Sequence, residues 1–408
     1  MTRALSIVGL VFLIAQLHRS AGGVLALELG SAHGLAPAAI GMIVGVMPLA
    51  SAGIQIPLGM LLDRFGVRLV LSILLLLASA GTLGFALAQT TTELVLARVA
   101  IGIGFAASMS SVYLVSMSWT SPERVGMAAA TLVSIPGSIG AVMGTTPLAI
   151  AFASFGWTDT FFAMAALTLV LSATAGIFLR EGPRTGRRGP PEKLADNLRT
   201  FREIVGHRDL QRIIVMAFCF AGPFMAVGGL WAGPYLRDMH NLSPAAASAV
   251  ILALVIVYNV GTFVIAFAER LFGGRRRVVL GAAGVTIVTY TVLALFPQMP
   301  FALALPMLFA SALAGPYFIL LAAQCRSFVP AGRIGRTVTT MSLAGIAGTF
   351  FMQWATGLTV EALSNADGTA TLAAYRSIFG LPAVILALCS LFYLPVRDLP
   401  RQDQPPPD

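Results

Sequence analysis

Long apolar stretches run through this chain, separated by charged or Pro/Gly-rich segments. Each is about 20 residues or longer, which is the length a helix needs to cross roughly 30 Å of hydrocarbon. Because 57% of the 408 residues are hydrophobic and only 11% are charged, a soluble core could not bury this much apolar surface. The pattern therefore predicts an all-α membrane protein with twelve transmembrane helices. The predicted spans are Ser6–Leu29, Pro37–Leu62, Leu69–Ala88, Leu94–Trp119, Gly126–Phe155, Trp157–Leu179, Gln211–Leu236, Pro244–Ala268, Val278–Phe296, Phe301–Val329, Val338–Leu363 and Tyr375–Leu394.

The basic residues fall on one side of this predicted topology. Arginines occupy alternate loops, the segment between the sixth and seventh spans, and the flanks of the first and last spans. Because Lys and Arg near helix ends are retained on the cytoplasmic side, we expect a cell inner membrane protein with both termini in the cytoplasm. This asymmetry and anionic lipid headgroups explain the formal charge of +9, so no nucleic-acid partner is expected.

The segment 181–208 is rich in Pro, Gly and Arg and divides the spans into two groups of six. We expect an N-terminal six-helix bundle over residues 1–180, a cytoplasmic linker over 181–208 and a C-terminal six-helix bundle over 209–395. The Pro-rich tail, 396–408, is expected to be disordered.

Loop sequences of the first half recur in the second half at a nearly constant offset. His33-Gly-Leu-Ala-Pro37 recurs 207 residues later as His240-Asn-Leu-Ser-Pro244, and Asp63-Arg64 recurs 206 residues later as Glu269-Arg270. Such a repeat predicts two pseudo-symmetric six-helix bundles, with a solute site near mid-membrane where the halves meet.

Two further segments have recognisable motifs: Gly59 to Arg68 reads GMLLDRFGVR, and Arg98 to Ala106 reads RVAIGIGFA. The first resembles the signature loop of the major facilitator superfamily, and the second is similar to that family's fourth-helix motif. Gly156-Trp157 with Phe161 is also typical. A partial match to the family's antiporter motif is formed by Pro136, Gly137, Gly140 and Gly144. The resemblance covers the whole chain and implies a secondary transporter rather than an enzyme.

The signature loop has a physical interpretation of its own. Asp63 is expected to close one helix, and Gly59 to let a neighbouring helix approach. Arg64 and Arg68 can then bond helix-end carbonyls or carboxylates as a breakable cytoplasmic latch between the halves. The alternative is a solvated turn. Residues expected to act in coupling or gating are Asp63, Arg64, Arg68 and their second-half counterparts Glu269 and Arg270.

A charge imbalance marks the first span. No carboxylate lies in the middle of a predicted span, whereas Arg19 does, with His18 beside it. An arginine at that depth costs about 2.5–3.5 kcal/mol on insertion scales and should face the bundle interior. The repeat places Ala226 opposite Arg19, so the charge is not part of the shared scaffold. We interpret Arg19 as substrate-binding and expect His18 to make transport pH-dependent. The alternative is an arginine that bonds backbone carbonyls of a neighbouring helix.

The stretch from Leu17 to Ser20, LHRS, resembles the first helix of the superfamily's organic-anion and glycerol-phosphate:phosphate transporters, which implies an anionic substrate. No second-half arginine matches that of the phosphate exchangers, so a carboxylate is favoured. The family resemblance also links Arg98 to proton coupling and gating, although it could be a structural arginine bonded to carbonyls. Polar and aromatic residues at mid-helix depth could line a cavity: Tyr113, Trp231, Tyr258, Asn259, Tyr317, Gln324, Gln353 and Trp354.

The favoured function is therefore secondary transport of a small organic anion by a monomer, with protons as a possible coupling ion. Efflux of hydrophobic cations is an alternative, but such a site would want an intramembrane carboxylate. Copper transport is a third, suggested by the 16 methionines. The three cysteines, Cys219, Cys325 and Cys389, lie far apart in sequence and are interpreted as packing residues. We predict no metal site and no cofactor.

Overall fold

The computed structural model describes residues 2–31, 34–180, 182, 206–325, 327–329, 334–365 and 369–397. All regular secondary structure in these residues is helical. The helices of the first half are α1 (Thr2–Ser20), α2 (Gly22–Ser31), α3 (Pro37–Gly53), α4 (Gln55–Leu87), α5 (Thr91–Gly104), α6 (Ser108–Trp119), α7 (Pro122–Met143) and α8 (Thr146–Phe178). Those of the second half are α9 (Arg208–Phe218), α10 (Gly222–Ala226), a π-helix (Val227–Trp231), α11 (Ala232–His240), α12 (Pro244–Phe272), α13 (Arg275–Leu295), α14 (Phe301–Ala314), α15 (Phe318–Cys325), α16 (Ile334–Leu363) and α17 (Leu372–Tyr393).

The chain forms two compact units. Unit 1 comprises Met1–Glu192 with the short segments Ala232–Arg237 and Leu242–Leu252, and unit 2 comprises Lys193–Trp231, Asp238–Asn241 and Ala253–Asp408. In unit 1, α1 packs mainly against α7, and α4 against α5 and α8. In unit 2, α13 packs mainly against α17, and α9 and α10 against α16. Most of the expected linker (181–208) and tail (396–408) lies outside the described residues, so the expected domain boundaries stay predictions.

Most of the predicted spans appear as long apolar helices. Eight helices among the described residues are long and apolar enough to cross a membrane, and the bent pair α1 and α2 makes a ninth candidate. Shorter apolar helices cover Pro37–Gly53 and Met127–Met143. The end of the second predicted span and the third span are joined in α4, and the end of the fifth and the sixth are joined in α8.

Two glycines mark where α4 and α8 each divide into separate spans. Gly66 has φ 80° and ψ 167°, and Gly156 has φ 79° and ψ 175°. This backbone conformation is essentially confined to glycine, and both residues lie where the sequence predicts a loop. Gly59 behaves otherwise. A Cβ added there would meet no atom within 4 Å, so the expectation that Gly59 admits a neighbouring helix is wrong.

Candidate functional site

The first helix of unit 1 is broken next to Arg19. The α1 helix ends at Ser20, α2 begins at Gly22, and their axes differ by 45°. Gly140 of α7 and Gly144, which directly follows α7, lie against the second half of α1. A Cβ at Gly140 would lie 2.0 Å from a backbone oxygen of α1, and a Cβ at Gly144 would lie 2.1 Å from Ser20 Oγ. The partial antiporter motif therefore has a packing role here, because a larger residue would push the break away from α7.

Arg19 lies in the last turn of α1, next to the break. Its side chain is exposed, and its guanidinium donates a hydrogen bond of 3.1 Å to Gln16 Oε1, one turn earlier. In the part of the chain that the structure describes, the ion pairs join other residues. Arg19 is thus a cation whose observed hydrogen-bond partner is a neutral amide.

His18, the neighbour of Arg19 in the same helix, is buried. It is 2% exposed, and its ring centroid is 5.1 Å from that of Phe105. The charged group that acts on it electrostatically is Arg98. Among the described residues, His18 Nε2 has no hydrogen-bond partner. The structure therefore separates the two residues that the sequence suggests act together, since Arg19 is accessible and His18 is not.

Arg98 is a buried cation inside unit 1. It is 1% exposed, its Nη1 lies 3.4 Å from Met47 Sδ, and its guanidinium carbon lies 4.9 Å from the centre of the Phe85 ring. A ring face and a thioether are weak partners for a buried charge. Its Nε has no hydrogen-bond partner among the described residues. The sequence-based alternative, a structural arginine held by carbonyls, does not describe these contacts.

The first helix of the second half is also broken, and at the corresponding place. After α9 ends at Phe218, α10 covers Gly222–Ala226 and a π-helix covers Val227–Trp231. With the 207-residue offset of the repeat, Gly228 in the π-helix corresponds to Ala21, which lies between α1 and α2. Single turns of π-helix are frequent at functional sites. The break is therefore a feature of both halves.

Two predicted site residues donate to carbonyls in the broken segment of unit 2. Tyr317 OH donates to the Cys219 carbonyl at 3.0 Å, where α9 ends, and Gln353 Nε2 donates to the Met225 carbonyl at 3.1 Å. Side chains of this kind satisfy backbone groups where a helix in a membrane is irregular. Gln353 is 4% exposed, and its Oε1 has no partner within the described ranges. The Gln353 Oε1 atom is therefore a hydrogen-bond acceptor beside the break of unit 2.

Two aromatic residues from the predicted set also contact this segment. Tyr258 stacks on Phe224 of α10 with ring centroids 4.3 Å apart, and Trp231 Nε1 donates to Thr356 Oγ1 at 2.8 Å. Sequence reasoning missed Tyr290, whose OH donates to the Pro223 carbonyl at 3.2 Å. Tyr290 is a polar aromatic residue within a predicted span, which is the criterion by which the other candidate residues were chosen.

Other members of the predicted set lie away from the break. Tyr113 is 46% exposed on α6, and Asn259 donates to the Val255 carbonyl of its own helix at 2.7 Å. Gln324 accepts a hydrogen bond from Tyr393, and Trp354 stacks on Phe350 of the same helix. Nothing in these contacts adds to the case for substrate binding.

The signature loop is exposed at Asp63, Arg64 and Arg68. Arg68 Nε donates to the Gly176 carbonyl at 2.6 Å, close to the end of α8, and the Arg64 guanidinium lies 5.1 Å from the centre of the Phe65 ring. The bond from Arg68 to a helix-end carbonyl is the kind of contact that the sequence suggests. It lies within unit 1.

The corresponding loop of unit 2 contains further arginine contacts. Glu269 accepts from Arg275 Nε at 2.9 Å, and Arg275 Nη1 also donates to a carbonyl of α15 at 3.1 Å. Arg276 Nη1 donates to the Val396 carbonyl at 3.1 Å, just beyond α17, whereas Arg270 is exposed. Sequence reasoning missed the two bonding arginines. The repeat offset of 207, which aligns Arg275 with Arg68, could have identified Arg275 but not Arg276.

Solved transporters share the fold of this chain. A bacterial homolog of the human lysosomal transporter Spinster, in an inward-facing and unoccupied conformation, has a TM-score of 0.77 and 19% identity and is matched over 96% of both chains. A variant of the nucleoside transporter NupG gives a TM-score of 0.80 at 14% identity, over 97% of this chain and 99% of that one. A D-xylose-proton symporter gives 0.73 at 16% identity, over 97% and 98%. At these identities the likeness concerns the fold alone.

The matches to curated sequences are shorter. The chain is 38% identical over 101 residues to the putative multidrug resistance protein MdtD of Klebsiella pneumoniae, and 37% identical over the same length to that of Salmonella enteritidis. The match covers 24% of this chain and spans 21% of the length of those relatives.

The whole-family comparison is broader. The sequence model of the Major Facilitator Superfamily matches residues 7–266 and 213–408. Together with the solved structures, this match confirms the predicted fold class, an all-α membrane protein of two related helical bundles. It also confirms the expectation of a multi-pass transporter protein rather than an enzyme. The chain belongs to the Major Facilitator Superfamily.

Proposed function

We propose that this protein is a secondary-active transporter that moves a small organic anion, a carboxylate, across the membrane by alternating access. The observation that supports the proposal is Arg19, an exposed cation at the break of the first helix whose observed partner is the neutral Gln16. A carboxylate would give this guanidinium the bidentate, charge-assisted pair that its planar fork favours.

The cost of holding a charged arginine inside the membrane favours a bound anion as the partner of Arg19. An arginine near the middle of a membrane helix costs about 2.5–3.5 kcal/mol on insertion scales. Its repeat counterpart, Ala226, shows that the fold does not need a cation at this position. An anionic substrate offsets part of that cost while it is bound, which makes the arginine a source of affinity.

The break in the first helix of each half supports a binding role for these segments. In transporters built from repeats, discontinuous helices at corresponding positions expose backbone groups that contact solutes. Unit 1 has its break at Ala21 beside Arg19, and unit 2 has the π-helix Val227–Trp231. Gln353, Trp231, Tyr258 and Tyr317 contact the broken helix of unit 2 and are proposed to bind the uncharged part of the substrate.

The remaining features of the proposal follow from the sequence. The steep asymmetry of basic residues supports an inner-membrane protein with cytoplasmic termini and a cytoplasmic connection between two six-helix bundles. Asp63, Arg64, Arg68, Glu269 and Arg270 are proposed to bias the conformational equilibrium, and Arg98 to couple transport to protons. We propose that the protein works as a monomer.

Uptake and equilibrium binding test the assignment of Arg19. The purified protein, reconstituted in liposomes, is given a panel of radiolabelled mono- and dicarboxylates with and without a proton gradient. We expect Arg19→Gln to abolish binding of the carboxylate that the parent takes up, and Arg19→Lys to bind it weakly, because lysine keeps the charge but loses the fork.

Arg3→Gln is the matched control, since it removes the same charge from an exposed position of the same helix. It should bind as the parent does. If Arg19→Gln bound the carboxylate as tightly as the parent, the guanidinium would be structural and the anion proposal would fail.

A second candidate is efflux of hydrophobic compounds. It is favoured by the 101-residue match to proteins named as putative multidrug resistance proteins and by the glycine-rich face of α7 at Gly140 and Gly144. Cells that express the protein would then accumulate less of a lipophilic cationic dye, and Arg19→Gln would leave that efflux intact. Carboxylate uptake that depends on Arg19 distinguishes the first candidate from the second.

A further inference from the structure

Among the residues that the structure describes, Arg98 of α5 is a buried cation without an acidic partner. Its side chain is 1% exposed and lies in an apolar helix, roughly 10 Å from the start of that helix at 1.5 Å per residue. Within the described ranges, the ion pairs lie in unit 2, and no acidic group acts on Arg98 electrostatically. Because arginine stays protonated in proteins, the guanidinium cannot become neutral by losing its proton.

The groups that surround the guanidinium do not neutralise it. Its Nη1 lies 3.4 Å from Met47 Sδ of α3, and its central carbon lies 4.9 Å from the centre of the Phe85 ring of α4. A thioether is a weak acceptor, and a ring face replaces only part of the attraction of a carboxylate. The buried Nε donates to no atom of the described residues. At least one N–H group is thus left for an acceptor from outside the chain.

The helices around Arg98 approach one another closely, which limits the size of such an acceptor. A Cβ at Gly102, one turn after Arg98, would lie 2.2 Å from the backbone oxygen of Met47. A Cβ at Gly81 of α4 would lie 2.9 Å from the backbone nitrogen of Ile101. The α5 helix is therefore in backbone contact with both α3 and α4. Backbones this close favour a monatomic anion over an organic acid or a phosphate.

We propose that Arg98 binds a chloride ion inside unit 1 as the counter-ion of its buried charge. A chloride at Nε accepts a charge-assisted hydrogen bond and offsets the cost of keeping an unpaired guanidinium away from water. The polarisable thioether of Met47 is a suitable neighbour for a large, soft anion. This inference goes beyond the proposed coupling role of Arg98, because a bound ion stabilises the fold whether or not transport occurs.

Thermal unfolding of the purified parent protein tests the proposal. The protein is kept in sodium methanesulfonate, and chloride replaces methanesulfonate at constant ionic strength. The unfolding temperature should rise and level off, by roughly 2 °C when chloride is about tenfold above its dissociation constant. Bromide should act in the same way, and crystals grown in bromide should show an anomalous-scattering peak beside the Arg98 guanidinium.

Substitutions of Arg98 separate a counter-ion from a general effect of salt. Arg98→Gln should lose the response to chloride, because it removes the charge. In methanesulfonate alone it should be at least as stable as the parent, since a neutral side chain needs no counter-ion. Arg98→Lys keeps the charge and should keep a weaker response. The exposed controls Arg3→Gln and Arg19→Gln should respond as the parent does.

Three results would overturn the proposal. The first is an unfolding temperature of the parent that does not depend on chloride, and the second is an equal response in Arg98→Gln. The third is a response that is lost in Arg19→Gln and kept in Arg98→Gln, which would place the chloride at the proposed substrate site. If Arg98→Gln did not fold, the parent titration, the bromide peak and Arg98→Lys would still decide. Because no carboxylate is present and unfolding is measured, failure here leaves the proposed transport function untouched.

Discussion

At the scale of single residues, the pair His18 and Arg19 shows how neighbours in sequence take different environments. Arg19 is exposed, whereas His18 packs on Phe105 with Arg98 nearby. The burial of His18 and the nearby Arg98 cation both oppose a positive charge on the imidazole, so the expectation that His18 makes transport pH-dependent does not fit this environment. We predict that His18 stays neutral, and that the affinity for the carboxylate changes with pH between about 8 and about 5 in the same way in the parent and in His18→Gln.

Substrate binding to His18→Gln over this pH range checks the prediction, and the variant should keep the slope of the parent. The control is His207→Gln, because His207 lies at the start of α9, where its ring nitrogen accepts from the Leu210 amide. That variant should also keep the slope. A slope that is lost in His18→Gln but kept in His207→Gln would show that His18 titrates in this range.

At the scale of helices, the sequence predicts the boundaries between successive spans better than the breaks within a span. The boundaries at Gly66 and Gly156 coincide with predicted loops, because a positive φ needs glycine and leaves a mark in the sequence. The break at Ala21 is followed by Gly22-Gly23, but neither glycine has a positive φ, and a glycine pair alone does not mark a break in a membrane helix. The π-helix Val227–Trp231 leaves no such mark either, since its glycines are equally usual in packed membrane helices. Both breaks depend on contacts with other helices, which include the Gln353 bond to the Met225 carbonyl.

The conformation of Gly156 gives a prediction at this scale. A Cβ there meets no atom within 4 Å, so the penalty of Gly156→Ala comes from the backbone alone. Holding alanine at φ 79° costs about 1–3 kcal/mol, and the unfolding temperature in detergent should fall accordingly.

Gly59→Ala is the matched control. It lies in α4 of the same unit, also has open space at its Cβ, and lacks the positive φ. It should be neutral or stabilising by up to about 1 kcal/mol, because alanine favours helix over glycine. Equal destabilisation by the two changes would show that the strain argument is wrong.

At the scale of the whole molecule, the repeat carries more information than any single motif. It aligns Arg68 with Arg275, and both arginines donate to carbonyls near helix ends in their own unit. It could not locate the bond from Tyr290 to the Pro223 carbonyl, because these residues lie 67 positions apart and share no motif. Contacts between distant helices are set by packing, which a pattern along one chain does not record.

Topology gives a prediction for the whole molecule. The distribution of basic residues predicts that both termini and the 181–208 connection lie in the cytoplasm. Reporter fusions after Arg188 and after Arg401 should therefore be active only with a cytoplasmic reporter. Activity of a periplasmic reporter at either position would reverse the predicted orientation.

The last prediction concerns the conformational cycle. Asp63 is exposed in the signature loop, and by the predicted topology it lies at the cytoplasmic rim. A charge at that place can change the balance between inward-open and outward-open states without contacting the substrate. We expect Asp63→Asn to slow transport tenfold or more, equivalent to about 1.4 kcal/mol, while equilibrium binding of the carboxylate stays close to that of the parent. Asp159→Asn, the same change at an exposed carboxylate of α8, should leave both unchanged. Loss of binding in proportion to the loss of transport would instead place Asp63 in the substrate site.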